Sequence, residues 1–181
     1  MLESKNVVLG VTGGIAAYKS AEIVSRIKKA GANVDVIMTK NACEFITPLT
    51  LRTLSKNLVT VDMFAEPKKI DVEHISLALK ADIFLIAPAT ANIIGKIANG
   101  IADDMLSTTI MATKAPVVFA LAMNENMYEN KIVQNNIEKL KSYGYYFIDS
   151  TSGMLACGVE GKGRMAEPVD IVEELKNIIL N

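Results

Sequence analysis

The apolar positions of the chain follow two alternating rhythms. Runs rich in Val, Ile, Leu and Ala occupy Asn6 to Val11, Asn33 to Met38, Asp82 to Ala87 and Pro116 to Leu121, and IFLIA and VVFAL leave no polar face at all. Strands of a parallel sheet covered by helices on both sides read this way. Between the runs the period changes. Ile23, Val24, Ile27 and Ala30 recur at i, i+1, i+4 and i+7, and Ile171, Val172, Leu175, Ile178 and Ile179 repeat the spacing behind Pro168. That spacing puts one apolar stripe on a helix, and a proline suits its first turn. Strand and helix alternating in this way predict an α/β fold, a three-layer doubly wound and mostly parallel sheet. No Pro/Gly/Ser linker or low-complexity tract interrupts it, so residues 1–181 are expected to form a single domain. Ligands of such sheets bind in the loops at the carboxyl ends of the strands.

Composition narrows the function classes. Nineteen basic against twenty acidic residues give a net charge of −1, which is no electrostatic footprint for nucleic acid or an anionic membrane. No run approaches membrane-spanning length, and the opening MLESKNVVLG has no signal-peptide core. Two cysteines, Cys43 and Cys157, fit a reducing cytoplasm better than a disulfide framework. A small-molecule task is the expectation.

The loops after the strands hold the candidate chemistry. TGGIAAYK places Gly13 and Gly14 directly before a helix, where free N–H groups suit a phosphate; a plain tight turn is the competing reading. Lys19 lies too far from the glycines for GxxxxGK[ST], and the spacing does not give GxGxxG. Thr39 follows the second strand, as a ligand hydroxyl or a helix cap. PATANIIGKIANGIADDMLSTT follows the third, with small residues and Asn92 around a Pro-led turn that would let a flat ring approach the backbone, or that simply caps a helix. His74, the only histidine, follows Asp71 and Glu73 and precedes a short amphipathic helix; it can exchange protons near neutral pH or serve only as a cap. Asn124 in LAMNENMYEN can present an amide to a carboxylate or cap the next helix. GMLACGVEGKGRMAEP sets Cys157 among glycines with Lys162 and Arg164 nearby, a setting that favours thiolate chemistry but also suits an ordinary loop thiol.

Taken together and in this order, TGGIAAYK, EHISLALKADIFLIAPATANIIGKIANGIADD, AMNENMYEN and LACGVEGKGRMAEP resemble the flavin-containing cysteine decarboxylase family, from about Asn6 to Leu175. The resemblance implies a Rossmann-like flavoprotein fold and FMN as cofactor. It implies that Gly13, Gly14 and Ile15 hold the FMN phosphate, with Thr39 and Phe45 beside the cofactor and Pro88, Ala89, Thr90, Ala91 and Asn92 along the isoalloxazine. His74 would be the base of an oxidation step, Asn124 the holder of the substrate carboxylate, and Cys157 the proton donor on a substrate flap running from Gly153 to Pro168. Met127, Ala156 and Met165 are implied substrate contacts, and Cys43 matches nothing catalytic and reads as packing. The ACGxxGxGRMxEP flap points to 4′-phosphopantothenoylcysteine as substrate and so to coenzyme A biosynthesis.

In the implied chemistry the cysteinyl side chain gives a hydride equivalent to FMN, CO₂ leaves from a thioaldehyde, and the resulting enethiolate is protonated before the reducing equivalents return. An unperturbed thiol, with a pKa of about 8.5, is mostly protonated at neutral pH and can serve as that acid. The family further implies a trimer-based assembly and a phosphopantothenate:cysteine ligase as domain or partner. Two departures stand out: Leu121 occupies the place of the family's Pro before Ala122, and Tyr128 that of its Trp after Met127. Flavin prenyltransferases are not expected to carry the His74, Asn124 and Cys157 set. Peptide cysteine decarboxylases share the His and Asn but not the flap, and phosphatase-inhibiting relatives carry acidic extensions that this sequence lacks.

Overall fold

A computed structural model describes residues 2–65, 72–154 and 160–180. Strand β1 (Asn6–Val11) runs through a 3-10 turn (Ile15–Tyr18) into α1 (Lys19–Lys29), and β2 (Asn33–Met38) through a second one (Lys40–Glu44) toward α2 (Pro48–Ser55). Then follow β3 (Val59–Thr60), α3 (Glu73–Lys80), β4 (Ile83–Ala89), α4 (Ala91–Ala98), α5 (Met105–Ala112) and β5 (Val117–Leu121). The chain continues with α6 (Glu125–Glu129), α7 (Lys131–Ser142), β6 (Tyr146–Ile148), β7 (Thr151–Met154), β8 (Glu160–Arg164) and α8 (Pro168–Leu180).

Six strands form one parallel sheet in the order β3-β2-β1-β4-β5-β6. Successive side chains of a strand point to opposite faces, and both faces are covered. Val7, Leu9 and Val11 pack with Ile23 and Ile27 of α1 and Leu175 of α8. Val8 and Phe84 pack on the other side with Ile93 and Ile97 of α4 and Leu106 of α5. The expected doubly wound sheet is therefore the one observed. Its strand order reverses between β1 and β4, which opens a crevice at their carboxyl ends.

Five strands depart from the sequence reading. Strand β4 runs on to Ala89, so Pro88 and Ala89 lie inside a fully buried strand and not in the loop behind it. Proline has no N–H to give to a ladder, and the pairing of β4 with β5 shifts register between Ile86 and Ala89. The two-residue β3 and three-residue β6 are too short for a periodicity to announce. Finally, the glycine-rich stretch expected as a loop contributes an antiparallel ribbon, β7 paired with β8, from Thr151↔Arg164 to Met154↔Glu160. No helix among the described residues is long and apolar enough to cross a membrane.

Candidate functional site

The crevice at the sheet's switch point opens into a cavity of about 1020 Å³. Its two sides are tied together at the strand ends. The Thr12 hydroxyl, at the end of β1, donates to the Pro88 carbonyl at 2.7 Å and lies 3.3 Å from the Thr90 hydroxyl beyond β4. Ser20 on α1 donates to the Ala87 carbonyl at 2.7 Å. These bonds fix the loop after β1 against the loop after β4.

Gly13 and Gly14 line the cavity where the first turn of helix begins. A Cβ on Gly13 would sit 2.5 Å from the Asn41 Cβ, so the loops after β1 and β2 touch here and only glycine fits. No side chain caps Gly14, which leaves the first-turn N–H groups of Ile15 and Ala16 at the cavity wall without a side-chain acceptor. Thr39 begins the second short turn; its hydroxyl accepts from Ala42 N–H at 3.2 Å and retains its own proton to donate. Farther along the wall come Thr90 and Asn92, then the apolar surfaces of Met38, Ile93 and Leu106. Helix-start N–H groups at one end and flat apolar walls beyond are a donor set that fits one phosphate joined to a planar ring.

The opposite wall is built from the end of β5 and from the ribbon. Asn124 caps α6, and its Oδ1 accepts from Asn126 N–H at 3.0 Å. The segment carrying it is held from two sides: Ala122 N–H donates to the Ala89 carbonyl at 3.1 Å, and Met123 N–H to the Gly163 carbonyl at 3.0 Å. Buried Leu121 pairs with Ala89 at the end of β5, so Asn124 is rigidly presented without the family's proline. Lys162 N–H donates to Glu125 Oε1 at 2.9 Å, and Lys162 Nζ lies 4.9 Å over the Tyr128 ring. Tyr128 thus keeps the aromatic surface that the family's Trp would offer. The ribbon and the Asn124 segment form one docked unit.

Of the residues singled out in the sequence, the cavity brings together Gly13, Gly14, Ile15, Thr39, Thr90, Asn92, Asn124, Met127 and Met165. Pro88, Ala89, Ala91 and Phe45 stand outside its lining. Pro88 and Ala89 are buried in β4 behind it, and Phe45 is about half exposed. His74 also stands outside the lining, half-buried in the first turn of α3. The neighbouring Glu73 carboxylate accepts from the Thr60 hydroxyl at 2.5 Å. Ala156, Cys157 and Asp71 lie outside the described residues. Cys43 packs against the core near the Thr39 carbonyl, and burial, with the Glu44 charge after it, pushes its thiol up.

Two charged clusters in the wall escaped the sequence reading. Lys19, only 6% exposed, donates from Nζ to the Met165 carbonyl and to Glu167 Oε1, each at 3.1 Å. Glu167 also accepts from Arg164 Nη2 at 2.8 Å. The hydrogen bond from Lys19, and after it the charges of Lys19 and Arg164, hold the Glu167 carboxyl below its usual range. The signal was present in the pattern, because Lys19 stands at i with Ile23 and Ile27 at i+4 and i+8, on the buried stripe. In the second cluster Lys96 Nζ lies 2.6 Å from Asp103 and 2.8 Å from Asp104, and Asp104 forms a capping box with Ser107 at the start of α5. Burial alone would push Asp104 up, but Lys96 and the Ser107 N–H outweigh it and hold the carboxyl low.

The Flavoprotein family model matches residues 1–180. The chain belongs to the Flavoprotein family. Within that family it is 52% identical over 173 residues to the coenzyme A biosynthesis bifunctional protein CoaBC of Bacillus subtilis, covering 96% of this chain and 43% of that protein. The chain thus spans less than half the length of this relative. It is 43% identical over 175 residues to the "Probable phosphopantothenoylcysteine decarboxylase" of Streptococcus mutans, covering 96% of this chain and 98% of that one. Among solved flavoprotein structures it is similar to a cysteine-to-serine mutant of PPC decarboxylase complexed with pantothenoylaminoethenethiol, with a TM-score of 0.88, 31% identity and coverage of 99% and 100%. The FMN-dependent cysteine decarboxylase SpaF gives a TM-score of 0.86 at 25% identity, with both chains fully covered. The cavity described above lies at the switch point of a flavoprotein fold.

Proposed function

We propose that the protein is an FMN-dependent phosphopantothenoylcysteine decarboxylase that converts 4′-phosphopantothenoylcysteine to 4′-phosphopantetheine and CO₂ in cytoplasmic coenzyme A biosynthesis. One observation carries this reading: a single cavity joins a phosphate-sized helix start at Gly13 and Gly14 to the docked unit of Asn124 and the β7–β8 ribbon. The relatives named above support the same assignment.

Loss of CO₂ from an N-acylated cysteine leaves a carbanion with nowhere to place its charge. FMN, when bound, would supply the missing electron sink as a reversible acceptor of a hydride equivalent from the cysteinyl side chain. The chain's own residues bind, orient and move protons. Backbone N–H groups at the Gly13–Ile15 turn and the first turn of helix behind it, with the Thr39 hydroxyl, would hold the FMN phosphate. Thr90 and Asn92 border its ring, with Ala91, Pro88 and Ala89 forming the rigid support behind them and Phe45 at the periphery. Asn124 donates from Nδ2 to the substrate carboxylate. That contact holds the bond to be broken perpendicular to the plane of the adjacent C=S, so that its electron pair passes into that group as CO₂ leaves. Met127 and Met165 cover the acyl chain, with Ala156 assigned beside them. His74 takes the thiol proton as the side chain is oxidised, and Cys157 gives a proton to the enethiolate after CO₂ leaves.

For His74 to act, a second copy of the chain must bring it to the cavity, since its own α3 leaves it outside the lining. The same helix exposes Val72, Ile75 and Leu79, an apolar stripe at i, i+3 and i+7 that a neighbouring copy would cover. This stripe supports self-association with sites shared between copies, and the family resemblance implies that the assembly is trimer-based. The partner reaction is a phosphopantothenate:cysteine ligation, which makes the substrate.

The cofactor assignment has a direct check. Mass spectrometry of the heat-released ligand from the purified yellow protein is expected to find FMN, because the cavity offers one phosphate cradle and no dinucleotide fingerprint. FAD or a nicotinamide dinucleotide in its place would contradict the assignment.

A further inference from the structure

The cavity wall is electrically uneven. At one end Lys96 stands between two carboxylates, Asp103 and Asp104, so one cation faces two anions. At the other end Lys19 and Arg164 share the single carboxylate of Glu167, so two cations face one anion. Lys40, also in the lining, is matched one to one with Asp62 at 3.8 Å. The surplus positive charge lies at the Lys19 and Arg164 end.

Lys19 cannot present that surplus to a ligand. Its ammonium is buried and spent on the Met165 carbonyl and the Glu167 carboxylate. Arg164 is half exposed, lines the cavity and, among the described residues, engages Glu167 through Nη2. A guanidinium carries five donors in a planar fork, which suits a phosphate better than one carboxylate oxygen can. The side chain crosses the ribbon over Gly153, where a Cβ would lie 3.4 Å from Nη1. Arg164 follows directly on Gly163, whose carbonyl is bonded to Met123 beside Asn124. This places it on the substrate's wall and not among the N–H groups at Gly13 and Gly14.

We propose that Arg164 binds the phosphate monoester of the substrate and so selects the phosphorylated acyl-cysteine over its unphosphorylated counterpart. Lys19 is the positioning residue beneath it, holding Glu167 so that the Nη2 side of the guanidinium fork is anchored while Nη1, over Gly153, is left for the ligand. The inference rests on the decarboxylase reading and specifies which group of that substrate this wall recognises. The other phosphate monoester within reach of the same cation is the cofactor's, and the test separates the two.

The measurement is calorimetric binding of 4′-phosphopantetheine and of pantetheine to the flavin-loaded protein, with flavin content determined in each preparation. Wild-type protein is expected to favour the phosphorylated ligand, and Arg164→Gln to shrink that preference by about tenfold to a hundredfold, the range for losing hydrogen bonds to a charged group. Arg164→Lys, which keeps the charge but loses the fork, should recover part of the preference. Equal loss of affinity for both ligands in Arg164→Gln would mean a structural role and overturn the proposal. So would an unchanged preference accompanied by loss of FMN, which would give the cation to the cofactor. Wild-type protein that shows the preference but releases no CO₂ from 4′-phosphopantothenoylcysteine would contradict the decarboxylase reading while leaving the assignment of Arg164 standing.

Discussion

Gly163→Ala is expected to abolish decarboxylation and to lower stability by about 3 kcal/mol or more, a loss characteristic of strain combined with a broken packing contact. The added Cβ would lie 2.0 Å from the Met123 carbonyl oxygen, and this neighbour is backbone that cannot rotate aside. Gly163 also has φ of +138°, a conformation that side chains of L-residues resist. Relief requires β8 to move off the Asn124 segment, which breaks the bond from Met123 N–H to the Gly163 carbonyl and loosens Lys162 from Glu125. The predicted loss is thus twofold, in folding energy and in the geometry that holds Asn124 beside the ribbon. Gly153→Ala is the control. Its φ of +159° lies at the border of extended backbone, and its Cβ would meet the Arg164 side chain at Nη1 (3.4 Å) and Cδ (3.5 Å), both of which can move, so a smaller loss is expected. Urea unfolding of both variants with parallel turnover assays decides the point. Gly163→Ala with a wild-type unfolding midpoint would show that the close approach of β8 to Met123 is not maintained in solution.

The second large effect concerns His74. His74→Asn and Asn124→Ala are each expected to eliminate turnover and substrate-driven bleaching of the flavin while keeping FMN bound, since neither residue belongs to the phosphate cradle. Co-expressed in one cell, the two inactive chains should regain activity. If a site takes His74 from one copy and Asn124 from its neighbour, random mixing leaves about one site in four with both groups intact. Separately purified and mixed homo-oligomers that do not exchange subunits should stay inactive. Failure of the co-expressed pair to recover any activity would mean that both groups serve a site from the same chain, against the position of His74 outside its own cavity.

Much of this architecture was legible along the chain, for physical reasons that differ element by element. The runs at Asn6–Val11 and Asn33–Met38 match β1 and β2 residue for residue because strands covered on both faces are almost continuously apolar, with only Asn6, Asn33 and the half-buried Asp35 breaking the runs. The crevice followed from topology, and nine of the proposed site residues line it. The β7–β8 ribbon was not legible, since TSGM and EGKGR show no alternation and owe their pairing partly to docking on Met123 and Glu125. Glu125 could not have been singled out either: its partner lies 37 residues away and is a backbone N–H, which any residue at position 162 but proline would supply. Lys19 was legible in principle as a cation on an apolar stripe, but its partners Met165 and Glu167 were not, since they lie 146 and 148 residues away. In the proposed assembly His74 reaches a site on a neighbouring copy, a placement that single-chain periodicity does not encode.

The decarboxylation itself is tested most directly by anaerobic incubation of the FMN-loaded protein with 4′-phosphopantothenoylcysteine, following CO₂, product mass and the flavin absorbance band together. Wild-type protein is expected to release many CO₂ per site, to form 4′-phosphopantetheine and to end with its flavin oxidised, because the reaction has no net redox change. Cys157→Ser, with a hydroxyl far too weak as an acid, is expected to stop after about one CO₂ per site with the flavin reduced and an aminoenethiol-type product. No CO₂ from the wild-type, FMN-loaded protein would contradict the account.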